Sequence, residues 1–105
     1  MNRQQQIDQF LLAAHRIAVT RLREDPSRLQ QVRDQLARWR LRSGATRSDR
    51  YWDEWDDLLQ SDVDDLERVI CADDEHGAVL RSVSPVSVLL TQKERASLLR
   101  DARAP

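Results

Sequence analysis

Apolar positions recur at steps of three and four along most of this chain. Ile7, Phe10, Leu11, Ala14, Ile17, Ala18 and Leu22 share one helical face, which predicts a first helix over about residues 4–24. His15 sits near the edge of that face, where a histidine serves more often as a packed side chain than as a ligand. Asp25-Pro26 marks the next junction, because proline disfavours helical geometry in the residue before it and suits the first turn of a new helix. Asp25 can accept the free N–H groups of that turn. A second helix, about 26–42, carries Leu29, Val32, Leu36 and Trp39 in one stripe. Two striped helices with so short a junction predict an antiparallel hairpin.

Gly44 follows Ser43 where a helix should stop, and SGATRS has loop composition. Ser48 or Asp49 can cap a third helix, about 49–60, with Tyr51 or Trp52, Trp55, Leu58 and Leu59 on its apolar face and Asp53, Glu54, Asp56 and Asp57 on the other. Tyr51 and Trp52 are adjacent, about 100° apart around the helix, so one of them lies toward the edge of the buried stripe. Ser61 and Asp64 approximate a capping box for a fourth helix, which buries Val63, Leu66, Val69 and Ile70 and runs to about Ala72. DDEH then opens a short helix or turn with Ala78, Val79 and Leu80. VSVLL (86–90) has strand propensity, but no second strand is expected to pair with it, so it reads as a buried connecting segment. Thr91 and Glu94 form a capping box for a last helix, about 92–103, and RDARAP is expected to fray. The predicted fold class is all-α: one domain over residues 1–105, of five to six helices, beginning with the helical hairpin.

Composition sharpens this picture. Two glycines and three prolines in 105 residues disfavour low-complexity disorder, while 33% charged residues imply long polar helix faces. Cys71 is alone, which argues against a disulfide scaffold. MNRQQQIDQF lacks the apolar core of a signal peptide, and no apolar run nears the roughly 18 residues of a membrane span; a soluble cytoplasmic protein is expected. The net charge of −1 hides strong segregation. Residues 1–50 carry eleven arginines and five acids, residues 51–80 eleven acids and one arginine, and residues 81–105 five basic and two acidic groups. Such blocks either create a field that selects partners or neutralise each other within the fold or in a homo-oligomer, and the sequence leaves both open.

Candidate chemistry narrows from there. Cys71, Asp73, Asp74 and His76 lie close together, but one thiol and one imidazole supply too few soft ligands for zinc, and the spacing does not match a calcium loop. No metal or other cofactor is expected. No nucleophile has a base at a telling spacing and no glycine-rich phosphate loop occurs, so an enzyme is not expected. The run RWRLRSGATRSDR places Arg38, Arg40, Arg42, Arg47 and Arg50 around Trp39, a density that can neutralise DNA phosphates. The acidic block that follows at once would repel the same backbone. The helix YWDEWDDLL joins aromatic anchors to carboxylates, the composition of a protein contact with a basic partner. Its candidate partner-binding residues are Tyr51, Trp52, Asp53, Trp55, Asp56 and Asp57. Within it Trp55 is assigned to the core together with Trp39, leaving Trp52 or Tyr51 as the exposed anchor.

The segments DPSRLQQVRDQLARW, YWDEWDDLL and SPVSVLLTQKER together resemble a group of small bacterial helical proteins. Their pattern is an LRxDP-type junction, a helix ending in RW, a W-xx-LL helix and a late SP…LS/T-xx-ER segment. Val86 stands here where that pattern has an aromatic residue. The group is associated with toxin–antitoxin gene pairs whose partner is nucleotidyltransferase-like. The resemblance implies an antitoxin that neutralises a toxin by direct binding, with a small DNA-binding regulator using residues 38–50 as the alternative.

Overall fold

The computed structural model describes residues 2–103. Among these residues it is all-α: α1 (Arg3–Glu24), α2 (Leu29–Ser43), α3 (Asp49–Leu58), α4 (Val63–Ile70), α5 (Glu75–Ser82) and α6 (Gln92–Arg103), with 3-10 turns at Pro26–Arg28 and Val86–Leu89. No helix among them is long and apolar enough to cross a membrane.

The longest helix, α1, is the element on which α4, α5, α6 and the 86–89 turn are laid. Its first turn is closed by a reciprocal box: Asn2 Oδ1 accepts from Gln5 N at 2.8 Å and Gln5 Oε1 accepts from Asn2 N at 3.0 Å. Its inner face buries Ala14, His15, Ala18, Val19 and Leu22. At its end Asp25 accepts from Ser27 N at 3.2 Å, as expected of a cap before proline. The expected antiparallel hairpin does not form: both helices pack against the Pro26–Arg28 turn that joins them, but α2 does not find its partner in α1. Its stripe of Leu29, Val32, Leu36 and Trp39 is shared with α3 and the 86–89 turn, which supply Trp52, Val86 and Leu89 to the same apolar cluster.

One core cluster joins α1 through α5 and the 86–89 turn, centred on Trp55, Leu22, Leu36, Leu59, Leu66, Ile70 and Leu80. Gly44 stops α2 at φ +65°, a conformation that L side chains rarely adopt, while its N–H donates to Arg40 O at 3.1 Å. Two caps differ from expectation. Residue Asp62, not Ser61, caps α4, accepting from Asp65 N at 2.8 Å; Val63 is already helical, so the cap must be the residue before it. At α3, Ser48 makes no side-chain cap bond, and Asp49 instead accepts from Thr46 N and Thr46 Oγ1. The VSVLL segment is a connection, as expected, and it buries Val86 and Leu89 as a 3-10 turn. The Thr91–Glu94 box is present, with Thr91 N donating to Glu94 and Glu94 N to Thr91 Oγ1. Of RDARAP, Arg100–Arg103 stay helical, and the expected fraying of the last two residues lies outside the described residues.

Arginine is the mortar of this fold. Arg33 donates to the Leu59 carbonyl just past α3, and Arg81 donates to Ile70 O (2.9 Å) and Ala72 O (2.7 Å) where α4 ends. Arg21 binds both the Leu89 carbonyl and the Glu94 carboxylate, tying α1 to the start of α6. Each cation sits where a chain end presents unpaired carbonyls, the place where positive charge is most favourable.

Candidate functional site

The acidic-aromatic helix α3 lies between α2 and α5, and its six candidate residues part company. Trp55 is fully buried, as expected, and its indole N–H donates to Leu80 O at 2.9 Å. Trp52 is buried as well, at 8% exposure, and donates to Val83 O at 3.0 Å. Both indoles thus satisfy carbonyls at the end of α5, which fixes their orientation inward. Of the two residues left open as the exposed anchor, Trp52 and Tyr51, Trp52 therefore belongs to the core. Trp39, assigned to the core, is only half-buried, and it stacks at a tilt on Trp52 with ring centroids 6.4 Å apart.

Tyr51 is the aromatic residue of α3 that stays accessible. The Arg50 guanidinium covers its ring at 4.7 Å and donates to its hydroxyl at 2.6 Å. Beside it opens a shallow concavity of about 530 Å³ walled by Tyr51, Asp74, Glu75, His76 and Val79. Asp74 is spoken for as the cap of α5, accepting from Gly77 N at 2.7 Å, and His76 pairs with Glu54 at 2.6 Å. Glu75 is exposed and free of any ion pair among the described residues. The cluster Cys71, Asp73, Asp74 and His76 does not converge: His76 turns to Glu54, and burial pushes the Cys71 thiol up.

The remaining carboxylates show that the charge blocks meet in part. Arg40 binds Asp53 (2.6 Å) and Asp56 (2.7 Å), and Arg23 binds Asp64 (2.7 Å) and Glu67 (3.2 Å). Asp57 stays exposed on the outer ridge of α3 with no ion pair among the described residues. The arginine candidates divide in the same way. Arg40 is consumed by α3, Arg38 is held by Gln35, and Arg50 lies on Tyr51. Arg42 and Arg47 are exposed, as is Leu41 next to Arg42, at 89%.

Three side chains that the sequence reading did not single out as a group meet behind α3. The His15 Nδ1–H donates to Leu11 O at 2.7 Å, its Nε2 faces Ser84 Oγ at 2.7 Å, and Arg81 is only 3% exposed. Burial, with the Arg81 charge adding to it, lowers the His15 pKa to about 4. One signal was available: His15 lies four residues from Leu11 and three from Ala18, at the edge of the apolar stripe. No family model matches the chain, nor does any curated protein or solved structure.

Proposed function

We propose that this chain is a cytoplasmic, bacterial antitoxin-like protein that binds a partner protein and neutralises it by direct contact, as the resemblance of its DP-junction, WDEWDDLL and SP segments implies. The observation that carries the reading is the acidic-aromatic concavity between α3 and α5, where Tyr51 lies open beside Glu75 and near Glu54, with Asp57 unpaired on the neighbouring ridge. A half-open tyrosine offers large contact area at little entropic cost, and the unpaired Glu75 beside it favours a basic partner surface. Arg50 already occupies the ring face, so a partner arginine has a ready-made seat there once Arg50 swings away. Trp52 and Trp55 serve the contact from below, by holding α3 against α5. A nucleotidyltransferase-like toxin, with a basic mouth for nucleotide phosphates, has the complementary charge.

The test is co-expression with the product of the adjacent reading frame, followed by co-purification. Wild type is expected to bring the partner through the column, and Tyr51→Ala with Glu75→Arg to lose it while keeping a native circular dichroism spectrum. Retention of the partner by that folded double variant contradicts the proposal. A second reading rests on the corner where α2 ends: Arg42 and Arg47 are exposed and outside every ion pair among the described residues. They support DNA binding, which would show as retention on duplex DNA that falls steeply with salt.

A further inference from the structure

A cavity of about 60 Å³ lies between α1, the 86–89 turn and the start of α6. One buried cation, Arg81, lies in its wall. Its wall includes Arg81, Arg95, His15, Ser84 and Ser87, and no aspartate or glutamate. The rest of the lining is apolar, with Phe10, Leu11, Ala14 and Leu90 among it. The volume has room for a few waters or one small organic molecule.

Two features make this more than a packing gap. Arg81 is 3% exposed, and among the described residues its Nε has no hydrogen-bond partner and no carboxylate lies within ion-pair distance. Its only partners are the carbonyls of Ile70 and Ala72, which offset part of a buried positive charge without neutralising it. The His15 tautomer is also fixed. A carbonyl can only accept, so Nδ1 carries the proton toward Leu11, and Nε2 takes the Ser84 O–H. Ser84 is therefore committed, and the cavity presents a preorganised ring and a buried cation with no acid in its own wall. The wider groove on the other side of Arg81 differs: there Asp8, Asp73, Asp74 and Glu75 surround it and would repel an anion.

We infer that the cavity is a binding site for a short-chain monocarboxylate, whose head meets Arg81 and Arg95 and whose alkyl tail lies against Phe10, Leu11, Ala14 and Leu90. The single charge of such a ligand matches the one buried cation. Its tail matches apolar walls that would have no use for inorganic phosphate. Ser87 and Arg95 are both exposed and form the rim through which it enters.

The probe is sodium propionate, titrated into the full chain at ionic strength held constant with sodium chloride and followed by ¹H–¹⁵N correlation spectra. Saturable shifts are expected at His15, Arg81, Ser84 and Ser87, half-saturating at a lower concentration than with formate. A carboxylate beside His15, whose one charged neighbour among the causes of its shift is Arg81, favours the charged imidazolium. Its pKa, about 4 in the free chain, is therefore expected to move up. Ala14→Leu fills the cavity and is expected to abolish saturation in a folded chain. Arg95→Gln removes an exposed charge at the rim, keeps the fold and is expected to weaken binding about fivefold, the weight of one unit charge near 4 Å in water. Shifts that stay linear, that match the chloride control, or that centre on Arg42 and Arg47 overturn the inference. So does unchanged saturation in a folded Ala14→Leu variant, and, if that variant does not fold, unchanged affinity in Arg95→Gln.

Discussion

Tryptophan 55 shows how one side chain can hold three elements. It is fully buried, its ring tilts against His15 of α1 with centroids 6.1 Å apart, and its N–H reaches the Leu80 carbonyl of α5. Trp55→Ala removes that volume and strands a carbonyl, so urea unfolding should show a loss of about 3–5 kcal/mol. His15 makes a different prediction. Its pKa is lowered from the ordinary 6.5 to about 4 by burial, so the unfolded chain takes up a proton that the folded chain refuses across that window. Stability should therefore fall as the pH drops from 6.5 to 4, by about 3 kcal/mol in all, and stop falling on this account below 4. His15→Gln should lack that slope when unfolding is measured across the same window. Glu94 behaves in the opposite region. The Arg21 guanidinium and the Thr91 N–H hold its pKa at about 2, so its contribution is present above the ordinary 4.5 and is lost as the pH falls toward 2.

At the scale of elements, the helix ends carry most of what was legible in the sequence. Asp25-Pro26, Gly44 and the Thr91–Glu94 box all act where their chemistry placed them. The start of α4 was legible only to within a residue, because Ser61 and Asp62 are both good caps and only the position of Val63 decides between them. Asp62→Ala is expected to cost about 1 kcal/mol in thermal unfolding, the usual worth of an N-cap. At α5, Gly77 answers to packing, since a Cβ there would meet Ala72 O at 2.6 Å and the Arg81 guanidinium at 3.0 Å. Gly77→Ala should destabilise the α4–α5 junction by about 1–3 kcal/mol, read by the same melt, despite alanine's better helix propensity. The burial of Trp52 was not legible. Periodicity left Tyr51 and Trp52 equal at the edge of one stripe, and the choice falls to the Val83 carbonyl, thirty-one residues away in sequence.

At the scale of the molecule, the opposing charge blocks turn out to be partly internal. Arg23 and Arg40 each bridge two acids more than ten residues distant, which no local spacing could reveal. Among the charges outside the ion pairs of the described residues are Glu75 beside Tyr51, Asp57 on the outer ridge of α3, and Arg42 and Arg47 past the end of the α2 stripe. With the indoles turned inward, a contact at Tyr51 would lean more on charge than a tryptophan-anchored one. Its association rate should then fall with ionic strength, since exposed charges are screened beyond about 8 Å at physiological salt. The most direct measurement is calorimetric affinity of the purified complex for two charge reversals compared side by side, Asp57→Arg with Glu75→Arg and Arg42→Glu with Arg47→Glu. The account predicts that the first pair weakens binding at least about tenfold, the factor that 1.4 kcal/mol represents, and that the second leaves it unchanged. The reverse pattern, with the acidic reversals tolerated and the arginine reversals destructive, would contradict it and move the functional surface to the end of α2.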